Sequence, residues 1–566
     1  MNRTTLITFA LALCTAAPAI AQTSPNTPNV DPTSPVPPTV SAGVMLGDKM
    51  LNNRPERLEW LRDNGFGMFI HFSHDSQIGS VISHSLVGAS KEYTDWYLDE
   101  LPKTFNPKHF DADAIASLAR VCGMKYVVLT AKHHNGFCLW DSATTDFKIT
   151  NTPFKRDLLK EYVVALRNHG LAVGIYYSPE DFAWSYRHGF EVRRRDLPFE
   201  PNQYPPAVQF IREQVTELFT NYGKIDMLFI DGTGEIPTKQ VAWSINPDCI
   251  ITRGAIPTPE QFVPGRAPQG AWESNMTMGT QWSYKPTNDR YKSGGRIIEI
   301  LIETRCKGGS LMMNVGPKPD GGLPIEQESR LREVALWRAA NNEAIFDVRP
   351  WVVTNEDDIW FARHKASNAV YVFLTRIPDW SRGSRKEFIL QSVRSTDKTK
   401  ISVLGQSDRL VEYSPSADAK SRFEQTEDGL RISVVRAQRL YNDHKWLNPV
   451  VVKLENVQPA FDTPPYAETV ASKSVTNHSV SLSGKLIDKG DAAAVEVGFE
   501  YQIYEGFAEA MYNTNWTRSP MNRISEEGAF EIEISDLKPA TEYQYRAIVK
   551  HPRITIRGDH LRFKTK

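Results

Sequence analysis

The chain has 566 residues, more than one ordinary hydrophobic core can serve, so several domains are expected. Its 66 Lys plus Arg nearly cancel its 67 Asp plus Glu and no long run of one charge occurs, which argues against nucleic acid or an anionic membrane surface as partner. A neutral ligand fits better, and thirteen Trp would suit stacking on sugar rings, although aromatics also fill cores.

Arg3, an apolar run from Leu6 to Leu13 and the small-x-small triplet Ala19-Ile20-Ala21 read as a secretory signal peptide over residues 1–21, too short for a membrane span. The protein is therefore expected to be secreted or periplasmic. Leu13 is bulky where a lipoprotein signal needs a small residue, which argues against lipid anchoring at Cys14. Residues 22–45 hold Pro25, Pro28, Pro32, Pro35, Pro37 and Pro38 among Ser, Thr and Asn, and read as an extended tether. The remaining cysteines, Cys122, Cys138, Cys249 and Cys306, are widely spaced in apolar contexts, which predicts small buried side chains instead of a zinc site or disulfide framework.

From Arg54 one pattern recurs: a helix, a glycine stop, an apolar strand and a polar tip. A helix around Arg57–Asp63 leads to a strand from Gly65 ending at His71. Asp113–Cys122, then Gly123, leads to Lys125–Thr130 and the tip His133-His134. Leu158–Arg167, then Gly170, leads to Leu171–Tyr177, and Ala207–Tyr222, then Gly223, leads to Ile225–Ile230 and Asp231. Short strands at Cys249–Thr252 and Ser310–Asn314 and a helix from Ile325 to Asn341 complete the region. Repetition at a spacing of roughly forty residues predicts an α/β fold. No GxGxxG follows the first strand and the tips come from many strands, so a (β/α)-barrel over residues 46–350 is preferred to a Rossmann fold.

Past Trp351 short alternating strands follow without helices, which predicts a β-sandwich over 351–462. Residues 463–566 read as a second all-β unit. Its Leu537-Lys538-Pro539 turn, feeding the alternating tyrosines Tyr543 and Tyr545, resembles a fibronectin type III corner.

The polar tips His71, His133, His134, Tyr176, Asp231 and Arg253 would converge on one face. Trp272-Glu273 and the aromatic pair Trp282 and Tyr284 join them. Adjacent histidines on extended chain should point apart, and neither HExxH nor His-x-His occurs, so no metal or other cofactor is expected. No GxSxG elbow is present either. What remains is a pair of acids, Asp231 and Glu273, 42 positions apart, about the interval between neighbouring strand ends. Two carboxylates amid aromatics and neutral donors are the glycosidase arrangement.

Residues from Arg54 to Trp351 resemble the α-L-fucosidases of glycoside hydrolase family 29. The resemblance lies in Gly67-Met68-Phe69-Ile70-His71-Phe72, Lys132-His133-His134-Asn135-Gly136-Phe137, Lys155-Arg156-Asp157-Leu158 and Gly174-Ile175-Tyr176-Tyr177-Ser178. It continues through Phe229-Ile230-Asp231-Gly232, Asn314-Val315-Gly316-Pro317 and Arg349-Pro350-Trp351. It implies a retaining hydrolysis of terminal α-L-fucosyl linkages in a fucosylated glycan, with Asp231 as nucleophile and Glu273 as general acid, then base. It further implies that His71, His133, His134 and Tyr176 grip the sugar, that Arg253 is a charged partner near the acid, and that Trp282 is a stacking wall. Asp95-Trp96 stands where the family usually has glutamate and tryptophan, and Phe229 where it usually has tryptophan. These departures bear on which sugar is taken. An α-L-galactoside or modified fucoside, or a sugar-binding relative without activity, are the alternatives. Should Glu273 not be the acid, Glu235 and Glu260 come next. Oligomeric state is left open.

Overall fold

The computed structural model describes residues 43–194, 197–411, 414–437, 448–504, 516–551 and 554–566. The signal peptide and nearly all of the tether lie outside the described residues. The tether ends earlier than expected, because Val44–Leu46 already pairs antiparallel with Lys49–Leu51. This hairpin is fixed to the body where the Gln240 side chain donates to Met45 O at 2.7 Å.

Seven parallel strands form the first sheet: β1 Phe66–Ile70, β2 Tyr126–Lys132, β3 Ala172–Tyr177, β4 Met227–Ile230, β5 Ile250–Ile251, β6 Glu273–Thr277 and β7 Ser310–Val315. Their order is β5-β4-β3-β2-β1-β7-β6. The sheet curls until its two ends meet through an irregular segment. Glu273 N donates to Pro257 O (3.0 Å), Asn275 N to Pro259 O (2.9 Å) and Gln261 N to Asn275 O (2.7 Å), so residues 257–261 lie along β6.

Alternation along the strands explains why they are apolar throughout. Phe69, Tyr126, Val128, Tyr176, Met227, Phe229, Ile250 and Met312 pack together inside the curl. Met68, Ile70, Val127, Leu129, Ile175, Leu228, Ile230 and Met313 face outward against the helices. Each aliphatic so buried is worth about 1.5–3 kcal/mol.

The longer helices are α1 Pro55–Asn64, α2 Ala112–Val121, α3 Leu158–Asn168, α4 Pro205–Thr220, α5 Glu235–Ile245, α6 Gly294–Cys306 and α7 Ile325–Asn341, with two short ones at Lys91–Asp95 and Phe182–Arg187. Their starts are chemically marked. Asp111 accepts from Ala114 N, Asp157 from Lys160 N and Ser293 from Arg296 N, each cap worth about 1 kcal/mol. Helix α6 and strand β6 had no counterpart in the sequence reading.

The second part of the chain consists of antiparallel sheets. A five-stranded sheet runs from Val348–Glu356 to Val450–Glu455 and Lys400–Val403, and Gly429–Val435 is central to a three-stranded one. From Tyr466 a three-stranded sheet and a second sheet built on Val495–Ile503, Glu542–Lys550 and Thr555–Lys564 enclose a separate core that includes Leu482, Phe499, Ile532 and Tyr545. Tyr543 Oη accepts from Lys538 N at 2.9 Å, tying the preceding turn to its strand. Cys122, Cys138, Cys249 and Cys306 are buried and unpaired. Among the described residues no helix is long and apolar enough to cross a membrane.

Candidate active site

The C-terminal ends of the parallel strands form the mouth of the curl, and Asp231 is the first residue past β4. Its N–H still bonds to Tyr177 O (3.2 Å), so the backbone keeps strand register while the side chain, 27% exposed, emerges. The chain must then turn sharply. Gly232 and Gly234 have φ of 105° and 113°, and a Cβ on Gly232 would sit 2.8 Å from Glu180 side-chain carbons. Glu180 Oε1 accepts from Thr233 N and Oγ1 and braces this turn.

The Asp231 carboxylate is held by two donors, with a histidine ring beside them. Tyr176 Oη donates to Oδ2 at 2.8 Å, Arg253 Nη1 donates to Oδ1 at 3.1 Å, and His134 Nε2 lies 3.7 Å from Oδ2. Burial alone would raise its pKa. The charge of Arg253, the His134 ring and the Tyr176 hydroxyl outweigh that and hold it well below the usual carboxylate range, so it is ionised. Burial and the Asp231 charge push Tyr176 far up, which keeps it a donor. Arg253, two residues past β5, also donates from Nη2 to Glu260 Oε2 (2.8 Å) and lies 4.6 Å over the Phe229 ring. One guanidinium thus spans Asp231 and Glu260, and Glu260 keeps 16% of its side chain exposed.

Hydrogen-bond logic fixes two of the three imidazoles and orients the third. Asn314 Nδ2 donates to Trp282 O, so its Oδ1 (2.7 Å) accepts from His71 Nδ1 and leaves His71 Nε2 an acceptor. Ser83 Oγ accepts from Asn135 N and lies 2.7 Å from His133 Nδ1, which orients the His133 ring. Ser178 Oγ donates to Glu180 O and accepts from His134 Nδ1 (2.6 Å), so His134 Nε2 is an acceptor. Burial lowers all three pKa values, to about 3 for His71 and about 4 for His134, and keeps the rings neutral. The His133 ring stacks on Tyr176, centroids 5.1 Å apart and planes 1° apart. His71 packs beside Trp282 at 4.8 Å.

His133 and His134 do not point apart as adjacent strand residues would. The chain has left β2 and turned, with Gly136 N donating to His133 O and Gly136 at φ 88°, and the rings lie 4.5 Å apart. With Asp231 they place three ligand atoms within 4.8 Å of one another, which could hold a cation. The Arg253 guanidinium on Asp231 already supplies positive charge there, so the donor set as built favours a neutral, hydroxyl-rich ligand.

Of the expected residues, His71, His133, His134, Tyr176, Asp231, Arg253 and Trp282 come together. Asp95 and Trp96 have other described partners: Asp95, at the end of the short helix Lys91–Asp95, pairs with Lys91 and Tyr186, and Trp96 is 39% exposed beside Tyr93. Glu273 is not at the mouth. It opens β6 and does not follow its end, it is fully buried, and Oε2 accepts from Tyr126 Oη, itself on the first residue of β2. Tyr126 packs near Trp60 of α1, at the opposite end of the strands from Asp231. Burial raises the Glu273 pKa to about 7, against the pull of the Tyr126 and Thr252 hydroxyls and the Arg253 charge. Spacing missed this because it assumed that every acid near a strand lies after it. The orienting residues Asn314, Ser83 and Ser178 were also missed. Only the fold shows which ring each one holds.

A family model described as Alpha-L-fucosidase matches residues 48–343, over half of the chain. The chain belongs to the α-L-fucosidase family. Plasma alpha-L-fucosidase of Rattus norvegicus is 29% identical over 396 residues, covering 61% of this chain and 82% of the relative. Alpha-L-fucosidase of Dictyostelium discoideum is 25% identical over 437 residues, covering 68% and 90%. Among solved structures, alpha-L-fucosidase isoenzyme 1 from Paenibacillus thiaminolyticus matches with a TM-score of 0.56 at 25% identity, over 71% of this chain and 98% of that one. A GH29 alpha-L-fucosidase from Bacteroides thetaiotaomicron, trapped as a covalent intermediate with 2-fluoro-fucosyl fluoride, matches with a TM-score of 0.55 at 21% identity, over 74% and 99%. The protein is a glycoside hydrolase of this family, acting on a fucosylated substrate.

Proposed function

We propose that the protein is a retaining exo-α-L-fucosidase in which Asp231 attacks the anomeric carbon and Glu260, instead of Glu273, protonates the leaving oxygen. The observation that carries this reading is the single guanidinium joining two mouth carboxylates: Arg253 bonds Asp231 at 3.1 Å and Glu260 at 2.8 Å. One guanidinium thus brings both carboxyl groups to the same mouth, as a pair of glycosidase acids requires, and the retaining course follows the family. Asp231 is ionised and ready as nucleophile. After the glycosyl-enzyme forms, Glu260 takes a proton from the incoming water. His71, His133, His134 and Tyr176 hold the sugar hydroxyls, with Trp282 as a wall beside His71.

The curled sheet is read as a (β/α)-barrel, the sheets after Trp351 as a β-sandwich, and the unit from Tyr466 as a fibronectin type III-like module, the last supported by the Tyr543 corner. The pattern of Met1–Ala21 supports export. The deciding experiment is turnover of 4-nitrophenyl α-L-fucoside beside the α-L-galactoside. A higher kcat/KM on the galactoside would displace fucose as the substrate, and no turnover of either would end the reading.

A further inference from the structure

Glu260 sits on a stretch without helix or strand, residues 257–271, which contains Pro257, Pro259, Pro264 and Pro268. Such a segment takes its shape from what it touches. Its first part is fastened to β6 by the backbone bonds described above and by Gln261 Oε1, which accepts from Thr277 N and Oγ1 at 3.0 Å. Phe262 O accepts from Ser274 Oγ, and Pro264 O from Lys307 Nζ at 2.6 Å.

Beyond Pro264 the fastening passes to a different part of the chain. Gly265 N and Arg266 N both donate to one oxygen, Asp559 Oδ1, at 2.6 and 3.2 Å. Asp559 lies on the strand Thr555–Lys564 of the C-terminal unit, and its own carbonyl accepts from Thr469 Oγ1. The Arg266 guanidinium lies 4.2 Å over the Tyr466 ring of the same unit. The two backbones touch: a Cβ built on Gly265 would lie 2.3 Å from Gly558 O. Two successive amides on one carboxylate oxygen make a charge-assisted clamp, stronger than neutral backbone contacts. It closes five residues after Glu260, and it comes from outside the region, residues 48–343, that matches the family.

We infer that the C-terminal unit is a working part of the active site, with Asp559 as a positioning residue that holds the Glu260-bearing segment in register with Asp231. The inference rests on the reading of Glu260 as the acid. Protonation of a leaving oxygen depends steeply on placement, and a 1 Å error costs on the order of 100-fold. Loss of the clamp therefore weakens proton donation first, while Asp231, fixed to β4, keeps its place.

The test compares two substrates on the full-length enzyme. One is 2,4-dinitrophenyl α-L-fucoside, whose leaving group needs no proton. The other is a fucosylated oligosaccharide, whose leaving group does. Asp559→Ala is expected to lower kcat/KM, which reports formation of the glycosyl-enzyme alone, by roughly 10- to 100-fold on the oligosaccharide and by no more than about threefold on the dinitrophenyl fucoside. Asp559→Asn keeps an acceptor oxygen and should restore most of the oligosaccharide rate. Gly265→Ala, which forces the backbones apart, should repeat the Asp559→Ala pattern. Glu260→Ala sets the ceiling of the leaving-group effect. Equal losses on both substrates, or none on either, in a folded Asp559→Ala protein would overturn the inference and leave the fucosidase reading standing. A wild-type enzyme inactive on both would overturn that reading instead.

Discussion

The two ends of the curled sheet each hold a buried tyrosine bonded to a carboxylate, and they do opposite things with it. At the mouth, Tyr176 donates to Asp231 in the company of Arg253, and the carboxylate is held ionised. At the floor, Tyr126 donates to Glu273, no cation among the described residues bonds the carboxylate directly, and burial raises its pKa to about 7 over the pull of the more distant Arg253 charge. The difference lies in access and charge partners, not residue type: the first acid is partly exposed beside Arg253, and the second is fully buried. The raised pKa, often a mark of a general acid, here comes from burial.

The comparison breaks first at Asp231. Asp231→Ala is expected to cost at least about 1,000-fold in kcat on nitrophenyl fucoside, in line with losses on removing a catalytic nucleophile. A residual rate within tenfold of wild type would remove Asp231 from the reaction. Next, Glu260→Ala should cost about 100- to 10,000-fold on an oligosaccharide, with partial rescue by azide on activated substrates. Retention of the oligosaccharide rate would return the acid to another residue. Arg253→Met should cost less, about 10- to 100-fold, through loss of the charge that keeps Asp231 ionised. The acidic limb of its pH–rate profile should move to higher pH, and an unmoved limb would count against this account. Smallest of all, Glu273→Gln should keep kcat within about threefold on both leaving-group classes, because Gln can still accept from Tyr126. A selective collapse on oligosaccharides would reinstate Glu273 as the acid.

Stability against pH separates the two ends again. Glu273 binds its proton more tightly folded, at about 7, than unfolded, so its contribution is full below about 4.5 and is lost as pH rises toward 7. The Tm of Glu273→Gln relative to wild type should therefore increase between pH 5 and 8. His71 and His134 run the other way. Their folded pKa values, about 3 and 4, lie below the unfolded value, so stability present above about 6.5 is lost as pH falls toward 4, at up to about 1.4 kcal/mol per unit per group. A Tm that stays flat from pH 7 to 4.5 would contradict the buried neutral rings.

Much of this was legible in the residues because the physical signals are local. The strand ending at Asp231 was marked by an apolar run meeting glycines, and α7 by apolar periodicity between Ile325 and Asn341. Helix stops at Gly123 and Gly170, both at positive φ, were read directly. What stayed hidden depends on contacts distant in the chain. Strand β6, Glu-Ser-Asn-Met-Thr, is a polar sequence that is strand only because β7 and the 257–261 segment pair with it on either side. Read as loop, it made Glu273 a tip. The histidine pair was misjudged for a related reason, since extended-chain geometry was applied to a turn.

Two of the imidazoles give the pocket a polarity. His71 and His134 each present a lone pair, set by Asn314 and Ser178 behind them. A ligand must answer each with a hydrogen, so recognition rests on the direction in which a hydroxyl hydrogen points as well as on where its oxygen lies. Capping one hydroxyl with a methyl group would leave its oxygen in place and still present the wrong sign to His71 or His134.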